Sequence, residues 1–380
     1  MGIPHPQGPG GPPKHIPQLI AVLRELGHEV ETITYSDCRV QDKTPLSRIR
    51  TVARVLWNMA RARAKTRPHI IQINSAYDAH AILRDAFIVT LLRWTGAGTR
   101  YFVKFHGSDA ALLARNGFWR AVTAWTLDRL DAIAVLSTEE ATNFKISHPR
   151  IAHKIRIVKN IVDVNRFEIR NTSSNRSVWG MSSHDIIFLF ISRFVPGKGL
   201  LDVITAFSQI HEVFRRARLL LVGDGPERSA AEDLVQVNDL RSKVVFTGYL
   251  RNQLATDAYT MSDVLVFPTH NEGFSMTIFD SLAAGLPVLT TRIRAAADYL
   301  HEPHNVLWVN KEDPGTLARQ MARVIRDADL RKTMGENNRQ LARQFNRSSV
   351  AADFIAIYNE LLPSSQHHDG LSSVQGENHD

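Results

Sequence analysis

Short apolar runs rich in β-branched residues recur along this chain, and between them apolar residues return every three or four positions. The runs at 30–34, 70–74, 101–105, 132–136, 156–158, 186–192, 218–222, 244–247, 264–267, 287–291 and 306–309 read as strands. The segments between them read as amphipathic helices. In 200–214, for example, Leu200, Ile204, Phe207 and Ile210 share one helical face. Alternation of this kind predicts an α/β fold of doubly wound parallel sheets with helices on both faces.

At 380 residues the chain exceeds one ordinary core, which predicts two domains. The polar stretch 170–176 interrupts the alternation and reads as a linker. The expected division is an N-terminal unit over 1–168 and a C-terminal unit over 180–344. A helix over 345–362 is expected to cross back to the N-terminal unit, and a tail over 363–380 has the composition of a disordered segment. The chain opens in a Gly/Pro loop, and the first helical pattern (Ile16, Leu19, Ile20, Leu23) has no visible strand before it. The expectation is that the first strand is missing or that the start lies too late.

Composition narrows the class. Hydrophobic content of 44% and charged content of 22% fit a folded domain protein. No run is long enough for a membrane span, and the first residues lack the apolar core of a signal peptide, so a cytoplasmic location is expected. Cys38 is alone, which excludes a disulfide framework and a cysteine metal site. The net charge of +8 points to acidic partners. From Lys43 to Arg67 there are eight Lys/Arg and no Asp/Glu, interleaved with apolar residues. That pattern is either a solvated basic helix or a contact for an anionic membrane surface, which would make the protein peripheral on the membrane's inner face. It lacks the aromatic platforms that single-stranded nucleic acid requires, so nucleic acid is not the expected partner.

The chemistry concentrates at strand ends. After the strand at 264–267, Glu272 precedes a helical run that contains Asp280. The first turn of that helix, with free N–H groups at about 274–277, favours an anion such as phosphate. Two carboxylates would not bind phosphate, but they accept hydrogen bonds from hydroxyls on either side of it. A diphosphate flanked by a sugar and a ribose meets both conditions; helix capping by the two acids is the plainer alternative. The strand at 186–192 ends in a loop with Arg193 and Lys198, cations able to neutralise a diphosphate leaving group. This loop is not a P-loop, because Gly199 follows the lysine. Gly223-Asp224-Gly225-Pro226 ends a third strand and reads as a tight turn. Phe246-Thr247-Gly248 ends a fourth, where backbone could bracket a base. In the N-terminal half, His106-Gly107 ends the strand at 101–105, where a histidine could donate a hydrogen bond to substrate oxygens.

Together these segments resemble the retaining glycosyltransferases of family 4, over nearly the whole chain. The sharpest match runs from Glu272-Gly273-Phe274-Ser275 to Asp280, where the family has a second Glu; Asp280 is one methylene shorter. Asn160-Ile161-Val162-Asp163, Gly223–Pro226 and Phe246–Gly248 match as well. The resemblance implies the GT-B architecture, two Rossmann-like domains facing each other across a cleft. It implies transfer of a sugar from a nucleotide diphosphate sugar to an acceptor hydroxyl with retention, in glycan, glycolipid or exopolysaccharide synthesis. The catalytic set would be Glu272, His106, Lys198 and Arg193. Donor contacts would add Gly10, Gly11, Gly248, Gly273, Phe274, Ser275, Met276, Thr277 and Asp280, with Glu272 on the sugar and Asp280 on the ribose. No cofactor and no metal are expected. The rival readings are a nucleotide-sugar epimerase or hydrolase on the same fold, and a non-catalytic binding subunit.

Overall fold

The computed structural model describes residues 1–3, 12–34, 45–94, 98–108, 117–167 and 176–362. The linker at 170–175, Gly10, Gly11 and the tail lie outside them. In chain order the first half comprises β1 (Gly2–Ile3), α1 (Pro12–Glu25), β2 (Ile33–Thr34), α2 (Pro45–Thr66), β3 (Ile70–Tyr77), α3 (Ala79–Trp94), β4 (Arg100–Ser108), α4 (Phe118–Asp128), β5 (Ala132–Val135), α5 (Thr138–Ser147) and β6 (Ile155–Ile157). The second half comprises β7 (Ile186–Ile191), α6 (Leu200–Ser208), β8 (Ala217–Val222), α7 (Arg228–Val237), β9 (Val244–Gly248), α8 (Asn252–Thr260), β10 (Val264–Phe267), α9 (Met276–Ala284), β11 (Val288–Thr291), α10 (Arg294–Tyr299), β12 (Val306–Val309), α11 (Pro314–Arg326), α12 (Ala328–Ala342) and α13 (Arg347–Leu361).

Each predicted strand is present, and both sheets are parallel. The missing-strand expectation is corrected. β1 is a strand of two residues, paired to β2 at Gly2↔Ile33 and to β3 at Gly2↔Ile73. Two residues are too few to show any alternation, so the pattern could not reveal it.

The first sheet runs β2-β1-β3-β4-β5-β6. Alternate residues of its strands serve two different cores. Tyr101, Val103, Phe105, Ile133 and Val135 join a cluster with α2, α3, α4 and α5. Phe102, Ala132 and Ala134 join a second cluster with Leu19, Val22 and Leu23 of α1 and Val350, Phe354 and Ile357 of α13. The sheet is therefore covered on both faces, as right-handed crossovers require. The second sheet runs β12-β11-β10-β7-β8-β9, with strands apolar on both faces, as in the run Ile186–Ile191.

The chain divides into Met1–Ile161 plus the segment from Arg347, and Val162–Asn346. The boundary thus falls before 168. The Val162 N–H donates to the Phe345 carbonyl at 2.8 Å, and Phe167 packs edge-on against Tyr259, tying 162–167 to the second unit. Helix α13 belongs to the first unit, where Val350, Phe354 and Ile357 are buried. Among the described residues no helix is long and apolar enough to cross a membrane.

Candidate active site

In the second sheet the strand order reverses between β7 and β10, and open α/β sheets bind ligands beyond the carboxyl ends of the strands at such a point. Two loops meet there. The Arg193–Lys198 loop leaves β7, and the 268–275 loop leaves β10. Their approach depends on glycine. A Cβ on Gly199, at φ +78°, would lie 2.6 Å from the Pro268 carbonyl oxygen. A Cβ on Gly223, at φ +141°, would lie 1.8 Å from the Ser192 carbonyl oxygen. Only glycine allows the β7 loop to pack this tightly between its neighbours. The His270 N–H then donates to the Gly197 carbonyl at 2.8 Å and locks the two loops together.

The product of this packing is an ion pair. Lys198 Nζ donates to Glu272 Oε1 at 2.6 Å, with both side chains partly buried. The lysine is thus held extended at the strand ends, with an ammonium that a diphosphate could share or capture. Arg193 is exposed on the same loop and makes no ion pair with any described residue. Ser275 stands at the N-cap of helix α9 and its side chain caps no backbone N–H, so the first-turn donors keep their capacity for an anion.

Asp280 does not stand where the sequence expected. It is 1% exposed and pairs with Arg166 at 2.8 Å, beside the buried Tyr259, whose hydroxyl pKa is pushed up by burial and by the Asp280 charge. The reason is its position: the fifth residue of α9 faces inward, and a buried carboxylate needs a cation. Asp280 therefore presents no open face for a ribose in this conformation. Arg166 was missed, although it lies just past the Asn160–Asp163 motif in a segment otherwise apolar at Val164 and Phe167.

The other donor-side positions divide by what they expose. Phe274 is buried, its ring stacked on Phe279 at 3.9 Å, so only its backbone can serve a ligand. Ser275 is buried, whereas Met276 and Thr277 are partly exposed; Thr277 Oγ1 donates to the Ile191 carbonyl at 3.1 Å, tying α9 to the end of β7. The Gly273 carbonyl accepts from the Ala295 N–H at 3.4 Å. Gly248, at φ +70°, ends β9, and its carbonyl accepts from the Gly223 N–H at 2.9 Å. Lys198, Glu272 and the start of α9 thus converge. Among the described residues no group of three or more His, Cys, Asp or Glu is placed to hold a metal ion.

In the first unit His106 sits at the end of β4 within a polar network that periodicity alone did not reveal. Asn74 Nδ2 donates to the Gly2 carbonyl at 3.0 Å, which leaves Oδ1 to accept from Gln72 Nε2 at 3.2 Å and from His106 Nε2 at 3.1 Å. This assigns the ring proton of neutral His106 to Nε2. Its Nδ1 is buried, so neither nitrogen is open to a ligand in this conformation, contrary to the expected donation to substrate. Burial holds its pKa well below the usual histidine range.

Lys104 is fully buried on the same face. Its Nζ donates to the Lys159 carbonyl at 2.8 Å and lies 3.3 Å from His15 Nε2. His15 Nδ1 accepts the Ile161 N–H at 2.7 Å, so the proton of neutral His15 is on Nε2 and points at the amine. The amine must accept it, and Lys104 is therefore neutral, in line with a pKa lowered well below 10.5 by burial. The signal was present: a lysine inside Tyr101–Phe105 contradicts a strand buried on both faces. A consequence is testable. Where the folded chain leaves Lys104 neutral and the unfolded chain protonates it, unfolding takes up a proton, so stability rises with pH from neutrality towards 10. Each proton contributes a slope of at most about 1.4 kcal/mol per pH unit. Urea unfolding at several pH values should show a rising trend that Lys104→Met reduces; identical slopes in both proteins would contradict a neutral Lys104.

Known families give this geometry its class. The family model for Glycosyltransferase Family 4 matches residues 9–166, and that for Glycosyl transferases group 1 matches residues 171–341. The chain belongs to the group 1 glycosyltransferases, with the GT-B fold. It is 25% identical over 269 residues to N-acetyl-alpha-D-glucosaminyl L-malate synthase of Bacillus anthracis, covering 70% of this chain and 69% of that one. Sucrose-phosphate synthase from Thermosynechococcus elongatus superposes with a TM-score of 0.75 at 20% identity, over 95% of this chain and 98% of that one. HepE of Anabaena, solved with UDP and glucose, superposes with a TM-score of 0.69 at 18% identity, over 90% and 88%.

Proposed function

We propose that this glycosyltransferase moves a hexose from a nucleoside diphosphate sugar to an acceptor hydroxyl with retention of anomeric configuration, in the synthesis of a glycan or glycolipid. The observation that carries the reading is the Lys198–Glu272 pair at the β7/β10 switch point, beside the start of α9. HepE, with the same fold, was solved with UDP and with UDP-glucose, which supports a uridine donor as the first to test.

In this reading the donor diphosphate draws Lys198 away from Glu272, and Arg193 and the α9 N–H groups share its charge. Glu272, released from the lysine, accepts hydrogen bonds from the sugar hydroxyls. Stabilising the departing diphosphate lowers the barrier electrostatically, so no resident metal is required. His106, whose ring proton is committed to Asn74, is given no bond to substrate here. The acceptor would be presented at a membrane surface, with the protein peripheral to it.

A thermal-shift screen against UDP, GDP, ADP and their sugars tests the donor. At a hundredfold excess over the dissociation constant, one nucleotide should stabilise the fold by about 2.7 kcal/mol, a shift of several degrees. Turnover with the stabilising donor should persist in EDTA, and NMR of the product should show the donor's anomeric configuration. An inverted product or a requirement for divalent metal would contradict the mechanism. Sugar release to water alone would favour a hydrolase.

A further inference from the structure

Helices α2, α3 and α4 pack side by side on one face of the first sheet. Val55, Leu56 and Met59 of α2, Ile88, Val89 and Leu92 of α3 and Leu127 of α4 share one core. The apolar side of α2, in the segment that the sequence reads as either a solvated basic helix or a contact for an anionic membrane, is thus turned into the fold. What α2 shows outward is Arg50, Arg54, Trp57, Arg61 and Lys65, all exposed and spaced as one helical stripe.

The apolar surface lies instead on α3. Beyond its buried face, this helix exposes Leu83, Phe87, Leu91 and Trp94, the last 89% accessible, at positions i, i+4, i+8 and i+11. A helix apolar on both sides implies a second partner for its outer side. Helix α4 extends the patch with Phe118 and Trp125; the Trp125 indole N–H donates to Thr90 Oγ1 at 3.0 Å across to α3. Helix α2 adjoins α3, since the Arg63 guanidinium donates to the Leu92 carbonyl.

Charge selects the occupant. Residues 45–66 contain no carboxylate, and of the two acids in α3 and α4, Asp85 is buried and paired with Arg84. A second copy meeting this face about a two-fold axis would bring like charges together. An anionic bilayer meets both features at once: phosphates for the cations, and the headgroup boundary for Trp and Leu. We propose that the outer face of α2–α4 docks on an anionic membrane, with α3 and α4 supplying the inserting side chains and α2 the phosphate contacts. This deepens the membrane part of the proposed function and is independent of the transfer chemistry.

Co-sedimentation of the full chain with phosphatidylcholine vesicles, with and without phosphatidylglycerol, tests it. Binding should require the anionic lipid and weaken with salt. Arg54→Ser/Arg61→Ser/Lys65→Ser should lower the partition coefficient about a hundredfold, since each lost cation contributes roughly a factor of five. Phe87→Ser/Leu91→Ser/Trp94→Ser should remove the binding that survives high salt. Unchanged nucleotide binding by both variants would show that the fold and donor site persist. Indifference of the wild type to lipid charge, or wild-type binding by both variants, would overturn the proposal. So would a lipid-free dimer that the apolar variant dissociates, which would give the face to a second copy.

Discussion

Lys198→Ala should lower kcat/KM for sugar transfer by roughly two to three orders of magnitude, the loss typical of removing one preorganised group that stabilises transition-state charge. Two effects act in the same direction. In the proposed mechanism the developing charge on the leaving diphosphate loses a fixed cation at the end of β7. The partly buried Glu272 also loses its partner at 2.6 Å, and an unpaired carboxylate beside the site repels the incoming phosphates. Affinity for the nucleoside diphosphate should fall with turnover, because in the proposed mechanism the lysine contacts phosphate before and during reaction. Lys198→Arg should restore little: Gly199 holds this loop against Pro268, and a longer planar group does not fit the same 2.6 Å contact. Steady-state kinetics with product quantified directly would check this, and a loss below tenfold would remove Lys198 from the machinery.

Glu272→Ala should reduce transfer comparably but for a different reason. In the resting protein Glu272 neutralises Lys198, and in the donor complex it is assigned to sugar hydroxyls. Its removal takes a contact from the sugar while releasing the lysine, so the two substitutions, equal in turnover, separate in binding. Glu272→Gln keeps a hydroxyl acceptor but loses the charge, and its turnover should lie between Glu272→Ala and the wild type. A Glu272→Ala protein that transfers sugar at the wild-type rate would return this residue to a capping role.

Where side chains obey periodicity, the fold was legible. Strands such as Val264–Phe267 carry apolar residues on both faces, and the loops at their ends announce themselves by Gly, Pro and isolated charge. β1 escaped because two residues have no period. The convergence of Lys198 and Glu272 was anticipated from their strand ends, since strand order brings β7 beside β10 despite 74 residues of separation. The burial of Asp280 was not, because a carboxylate in a helix reads as solvent- or ligand-facing until the partner is known, and Arg166 lies far away in sequence. The histidine network failed for a similar reason. The amide of Asn74 decides which nitrogen of His106 carries the proton, and that depends on Gly2, on a strand the pattern did not show. Lys104 shows the opposite case: the sequence displayed the anomaly openly, and only the count of donors and acceptors gave it meaning.

Calorimetric titration of the accepted nucleoside diphosphate, without sugar, into Glu272→Ala is the most direct check on the division of labour at this pair. With Lys198 freed, the variant should bind the nucleotide at least as tightly as the wild type, while Lys198→Ala binds it at least tenfold more weakly. Equal losses of nucleotide affinity in the two variants would contradict the assignment of the lysine to phosphate and the glutamate to sugar.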